Sequence, residues 1–380
     1  MKKTPLLRSR ILWVIALGGT IFWSCEKDNP QDICLPVFQA DLFETNLRNE
    51  LDGSVMGFTY IVAQNGNIVK SGIGGDAQNT EDRDIDMSLH LEMQIASISK
   101  FVTTLAAIRV CDELGLPLTT PIGEFLPSGW RRGNGINNVT IAELCNHTAG
   151  LNVRGTQRFN ATRLDSLRQY VASGAINPKT RVYSNTHHAL LRLVLPMMYY
   201  GITGNEPGFS EEAVAAAYRI LVGELIFTPM EVSGNLQPKN QSQILAYSGP
   251  ADNTAGLGGT ADFSLVSGGT GWHMTTFDIA KLWAYAWFSN DLIDDDDRDW
   301  LRTSRAGLWN TLLNQQHGTY FCKLGRWDYS STATSKEVSS CVMLFPDGTQ
   351  VTVFINSPIP AGDTSLVPLL ARLYDESFGC

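Results

Sequence analysis

The chain is 380 residues long, with 29 Lys+Arg against 38 Asp+Glu, a formal net charge of −9 and 43% hydrophobic residues. That composition supplies a buried core and excludes disorder as the main state. The acidic balance and the lack of any Lys/Arg block exclude phosphate-backbone binding as the main activity, so no nucleic-acid partner is expected.

Lys2, Lys3, Arg8 and Arg10 precede an apolar run at residues 11–23 that is too short to span a bilayer and has the flanks of an export signal. Residues 1–24 are read as that signal, and losing its four positive charges takes the net charge from −9 to −13. Ser24-Cys25, followed by the polar residues 26–32, resembles a bacterial lipoprotein junction. Cys25 is therefore expected to carry lipid, residues 25–37 to act as a tether, and a membrane to be the partner that holds the chain at the periplasm or outer membrane. Phe22-Trp23 is bulkier than the small residues usual before a cleavage site; an ordinary cleaved signal with a fortuitous cysteine is the alternative. The other six cysteines permit three disulfides in an exported chain, although sequence alone does not choose the pairing. No C-x-x-C spacing suggests zinc.

Phe38, Leu42, Leu47 and Leu51 mark a helical face over residues 38–51. Residues 58–63, the turn Asn65-Gly66 and residues 67–70 predict a hairpin with a type I′ turn. From Ser97, the apolar series Ile98, Phe101, Val102, Leu105, Ile108 and Leu114, closed by Gly115, predicts a broadly buried helix. Helical periodicity dominates residues 116–300, with clear cases at 141–146 and 211–227. Strands return at 341–345 and 350–355 around a Pro346-Asp347-Gly348 turn, and an amphipathic helix follows over 365–375. Strands at both ends with helices between predict one antiparallel sheet assembled from the two ends of the chain.

Chemistry concentrates at Ser97 and Lys100, three residues apart and so on one face of a helix start. A serine hydroxyl needs a neighbouring base, and a lysine serves once burial or a second cation lowers its pKa. Downstream, Tyr183-Ser184-Asn185 offers a proton shuttle and an amide donor. Each motif alone is weak, since a helix start or a packed tyrosine beside a capping residue explains it equally well.

Taken in order, Ser97-x-x-Lys100, the segment 139–151 with Asn146-His147-Thr148-Ala149-Gly150, and Tyr183-Ser184-Asn185 resemble the penicillin-recognising serine hydrolases. The resemblance is particularly to class C β-lactamase-like proteins, D-alanyl-D-alanine carboxypeptidases and related esterases. Gly268-Gly269 and Thr275-Thr276-x-Asp278-x-Ala280 match further family positions, and the similarity runs over residues 38–374. The resemblance implies an α+β fold of the β-lactamase/transpeptidase type: an antiparallel sheet flanked by N- and C-terminal helices, with a mainly helical inserted subdomain. Within a domain at 38–380, the sheet part is expected at 38–95 and 300–380 and the helical part at 96–299. It further implies an acyl-enzyme on Ser97, with Lys100 as general base, Tyr183 as proton relay, Asn185 positioning substrate and a Ser97 N–H in the oxyanion hole, and it requires neither metal nor organic cofactor.

The family's third motif, Lys-Thr-Gly or His-x-Gly, lies on the strand beside the nucleophile. Counting back from Pro346 places it at Ser331-Thr332-Ala333, with Thr334 supplying the second oxyanion N–H. There the cation is missing and the glycine is an alanine. Lys323-Leu324-Gly325 mimics the motif but sits eight residues early, and His317-Gly318 is earlier still. The leading reading is an exported serine hydrolase acting on an ester, amide or D-amino-acid peptide. The alternatives are a catalytically impaired binding protein of the cell envelope, and a true β-lactamase if Lys336 or Arg326 replaces the missing cation.

By the same resemblance the terminal helices lie together, which pairs Cys34 with Cys380; Cys111 with Cys145 and Cys322 with Cys341 complete the expected disulfides. His147 is read as structural, and His187 and His188 as packing groups beside the site. The acidic run at 294–297 is read as a solvated loop, and Trp272, Trp283 and Trp287 as core.

Overall fold

The computed structural model describes residues 35–151, 162–175, 178–237, 243–258, 262–308, 310–329, 335–359 and 365–380. Cys25, Cys34 and the export signal lie outside the described residues. In chain order, β1 (Val37–Phe38) leads to α1 (Ala40–Leu51), β2 (Gly57–Gln64), β3 (Asn67–Gln78), β4 (Ile85–Asp86) and β5 (Met93–Gln94). Then come α2 (Ser99–Leu114), α3 (Ile141–Cys145), α4 (Leu164–Ser173), α5 (Asn185–Tyr200), α6 (Glu211–Val222), β6 (His273–Met274), α7 (Thr276–Phe288) and α8 (Asp295–Ser304). The chain ends in β7 (Asn310–Gln315), β8 (Gly318–Asp328), β9 (Glu337–Leu344), β10 (Thr349–Ile355), α9 (Leu366–Asp375) and β11 (Phe378–Gly379).

The expected antiparallel sheet is present, in the order β4-β3-β2-β10-β9-β8-β7. Its seam joins the two ends of the chain: β2 pairs with β10 from Phe58↔Ile355 to Gln64↔Thr349. The β2–β3 turn has Asn65 at φ 49 and Gly66 at φ 81, the two left-handed residues a type I′ turn requires.

Alternation along the strands gives the sheet two apolar faces. Tyr60, Val62, Cys341, Met343, Val351 and Val353 pack against α1 and α9, the flanking N- and C-terminal helices. On α1, Phe43, Leu47 and Leu51 recur every four residues and are all buried. On the opposite face Val342, Leu344 and Phe354 join a core that continues into α2, α5 and α7. α2 is buried almost all round, so its polar side chains find partners on neighbouring backbone: Thr103 donates to the Gly268 carbonyl at 2.6 Å, and the Trp272 N–H donates to Ser99 at 3.2 Å.

Several sequence expectations change. α7 falls within the stretch assigned to the helical subdomain, but it packs on β2 and β10, where Thr276 and Thr59 hydroxyls bond to each other. The acidic run begins a helix: Asp294 caps α8 by accepting from the Asp297 N–H at 3.0 Å, and Asp295, Asp296 and Asp297 occupy the first turn, at the positive end of the helix dipole. Cys111, Cys145, Cys322 and Cys341 are buried thiols, not disulfides. On the strands the register explains it, because Cys322 faces Met343 while Cys341 faces Leu324, two positions away. Cys111 and Cys145 fill the helical core as small apolar groups, and burial pushes the Cys111 thiol up to about 12. The Cys34–Cys380 pairing involves a residue outside the described ones.

Leu370 on α9 is fully buried against the sheet. Leu370→Ala is expected to lower the unfolding free energy by about 2–5 kcal/mol, read as a fall in the urea midpoint without loss of native secondary structure. A midpoint equal to wild type refutes this account of the α9 interface.

Candidate active site

Ser97 sits in a 3-10 turn, Ala96–Ile98, so that α2 begins at Ser99, two residues later than the sequence pattern suggests. Ala96, just before it, has a positive φ of 44, a strained conformation for a residue with a Cβ. The turn is held from outside by the Ile95 N–H donating to the Trp272 carbonyl at 2.9 Å.

Lys100 follows one turn later and is fully buried. Its Nζ lies 3.1 Å from Ser97 Oγ and donates to the Gly269 carbonyl at 2.6 Å. Burial first, then the neighbouring Lys323, holds the amine well below the ordinary lysine range. A neutral amine that donates to a carbonyl still has a lone pair with which to take the serine proton. Tyr183 Oη is 2.7 Å from Ser97 Oγ on the other side. Burial pushes its phenol up, so it stays protonated, as a proton donor must. The structure therefore brings three of the sequence-predicted residues together, with Ser97 Oγ within hydrogen-bond distance of both Lys100 Nζ and Tyr183 Oη.

Asn185 opens α5 immediately after the cap residue Ser184, whose Oγ accepts from the Thr186 N–H at 3.2 Å. The Oδ1 of Asn185 is buried and has no hydrogen-bond partner among the described residues. Ser97, Tyr183 and Asn185 open on a cleft of about 260 Å³ walled by Thr270, Leu324, Arg326 and Trp327. A larger cavity of about 410 Å³ lies between the β2–β3 turn and α7, lined mainly by Ile61, Phe277, Tyr285 and Phe288. It contains no nucleophile paired with a base, so size does not choose the site.

Ser331, Thr332, Ala333 and Thr334 lie outside the described residues. The strand that packs on the nucleophile turn is β8, which carries Lys323-Leu324-Gly325. A Cβ at Gly325 would collide with the Ile95 carbonyl oxygen and the Ser340 hydroxyl, so only glycine lets the strand approach this closely. Lys323 Nζ lies 5.8 Å from the centre of the Tyr183 ring. The side chain is fully buried, with no hydrogen-bond partner for Nζ among the described residues. Burial, then Arg181, pushes its amine down to about 7. Asp328 and Glu337 face each other as the last paired residues of β8 and β9, so the family spacing counted back from Pro346 lands between the two strands and not on β8.

The two other candidate cations are engaged. Lys336 bonds to Asp252 at 3.0 Å and to Thr254 Oγ1 at 2.6 Å. Arg326 is ion-paired through Nε and Nη2 to the buried Glu337, with Nε at 2.9 Å.

Behind Tyr183, away from the cleft lining, lie His147, His187 and His188, all buried. The His147 and Tyr183 ring centres are 4.7 Å apart. Burial lowers all three imidazoles, His187 to about 4, so they are neutral near pH 7.

A family model described as Beta-lactamase matches residues 43–322. Among solved structures, the octameric penicillin-binding protein homologue from Pyrococcus abyssi aligns with TM-score 0.62 at 16% identity, over 89% of this chain and 78% of that one. A beta-lactamase/D-alanine carboxypeptidase from Yersinia pestis aligns with TM-score 0.61 at 16% identity, over 88% and 96% of the two chains. A D-stereospecific amidohydrolase from Streptomyces sp. gives TM-score 0.57 at 18% identity, over 90% and 99%. No curated protein matches in sequence.

The depressed Lys323 makes stability depend on pH. Its ordinary value is 10.5 and its folded value about 7; between the two the unfolded chain holds the extra proton, so stability rises with pH over that window. In Lys323→Met the gain in urea midpoint from pH 7 to pH 10 is expected to shrink, with Lys100 sustaining the remainder. An undiminished gain in the variant refutes the burial of an uncompensated amine at this position.

Proposed function

The chain belongs to the beta-lactamase family, and on that premise we propose that it is a serine hydrolase working through an acyl-enzyme on Ser97. The observation that carries the reading is the continuous contact Lys100–Ser97–Tyr183, at 3.1 and 2.7 Å, in which burial holds the lysine well below its ordinary pKa.

In this reading Ser97 Oγ attacks a carbonyl carbon while its proton passes to the Lys100 lone pair. The oxyanion is met by the Ser97 N–H and by the N–H of Arg326, which follows Gly325 and lines the cleft. Tyr183 hands its phenolic proton to the departing oxygen or nitrogen and is reprotonated from Lys100. Water then enters, loses a proton along the same path in reverse, and releases the acid and Ser97. Asn185 holds the substrate through its side-chain amide.

The substrate we favour is an uncharged ester or amide. Lys323 is buried beneath the cleft, and Arg326 and Lys336 are each held by a carboxylate, so no cation described at the cleft is left to pair with a substrate carboxylate. A D-amino-acid peptide or a β-lactam carries such a group.

Intact mass after incubation with a fluorophosphonate tests the nucleophile. One adduct per chain is expected on wild type and none on Ser97→Ala; absence of adduct from folded wild type favours the impaired binding-protein reading instead.

We also infer export and lipid anchoring through Cys25, on the strength of the basic residues, the apolar run and the Ser24-Cys25 junction. In cells fed a labelled palmitate, the wild-type chain is expected to take up label and Cys25→Ser none. Equal labelling of both sinks the anchor.

A further inference from the structure

His147 follows α3 in a left-handed conformation, φ 66, fixed by its own N–H on the Leu144 carbonyl at 3.4 Å and by the Thr148 N–H on the Glu143 carbonyl at 2.8 Å. From there it grips the segment that carries Tyr183 at two points. The Val182 N–H donates to the His147 carbonyl at 2.9 Å, and the Ser184 N–H donates to His147 Nδ1 at 3.4 Å. The residues on both sides of Tyr183 are thus bonded to one histidine, whose ring also packs on the tyrosine ring.

A backbone N–H can only donate, so His147 Nδ1 is an acceptor and the ring proton sits on Nε2. His187 Nδ1 lies 3.1 Å from that same atom. Two lone pairs at this distance repel, so His187 Nδ1 carries the hydrogen and donates it to His147 Nδ1. The pair therefore has one self-consistent arrangement: His147 as the Nε2–H tautomer and His187 as the Nδ1–H tautomer, both uncharged. Protonating His147 would replace its acceptor by a donor facing two donors. Around it stand Lys100, Lys323, His187 and His188, none of which offers a balancing negative charge.

We propose that His147 and His187 are positioning residues: the tautomer-locked pair fixes the backbone on both sides of Tyr183 and so sets its hydroxyl on Ser97. His187 sits within the first turn of α5, so the helix that supplies Asn185 also supplies the donor that orients the clamp. The inference rests on Tyr183 serving as the proton relay. A displacement of an ångström at a relay atom is enough to cost orders of magnitude in rate.

The experiment measures the rate at which a phenyl phosphonate ester labels Ser97, a probe whose phenolate leaving group takes up a proton as fluoride need not, in His187→Leu and His187→Asn, each made in wild type and in Tyr183→Phe. Melting temperatures and circular dichroism establish that each variant is folded. His187→Leu is expected to slow labelling at least ~10-fold, and His187→Asn, whose amide keeps an N–H, to stay within ~3-fold of wild type. In the Tyr183→Phe background His187→Leu adds less than ~2-fold, because there is no hydroxyl left to position. A purely structural histidine would slow both backgrounds alike, and that result overturns the proposal, as does a His187→Leu enzyme as fast as wild type or a folded His187→Asn as slow as the leucine variant. Nitrogen-15 spectra of the labelled wild-type protein test the same claim without a substitution: the expected tautomers are Nε2–H at His147 and Nδ1–H at His187, and any other assignment overturns it. If Tyr183→Phe labels at the wild-type rate, the relay reading falls and the positioning role falls with it. If wild type does not label at all, the hydrolase reading itself has failed.

Discussion

Everything at this site depends on keeping an amine dry. Lys100 is fully buried, and the desolvation of its ammonium form is what lowers its pKa. In water the same side chain would be charged and unable to take a proton from Ser97. The fold supplies that dryness from three directions: α2 carries the lysine, the Gly269 carbonyl accepts its hydrogen bond, and the Tyr183 ring lies 4.8 Å from Nζ. The second buried lysine, on β8, reinforces the shift because a like charge nearby further penalises the ammonium form. In the proposed mechanism the same burial that costs stability would make Ser97 usable as a nucleophile, an exchange of stability for function.

Access is governed by how closely strand and helix start approach each other. Gly325 brings β8 against the Ile95 carbonyl, and beyond Cys322 the paired residues of β7 stop. The stretch from Leu324 onward therefore has β9 on one side and the cleft on the other. Leu324, Arg326 and Trp327 of that stretch wall the cleft on which Ser97 opens.

Much of this was legible in the residues. Ser97 and Lys100 are close because three residues make almost one helical turn, and Asn65-Gly66 announced its turn because only such residues take two positive φ values cheaply. Tyr183 and Asn185 were readable only through their order along the chain, since nothing local ties them to Ser97. What escaped the sequence was set by tertiary register. Lys323 was discounted because the length of a hairpin connection is not encoded in its strands. The pairing of Cys322 with Cys341 looked natural until the strand register set them two positions apart. The acidic run reads as a solvated loop from its composition, and only the Asp294 side chain on the Asp297 N–H shows it to be a helix start. The bonds of His147 were not legible because its partners, from Val182 to His187, lie 35 to 40 residues further along the chain.

The seam between β2 and β10 bears on how the molecule comes into being. Phe58 cannot meet Ile355 until nearly the whole chain exists, so the sheet has high contact order and is slow to close. While the chain is being made, Lys100 is a solvated, protonated side chain and Ser97 an ordinary hydroxyl. The lowered Lys100 pKa thus arrives only with burial, late in the making of the sheet.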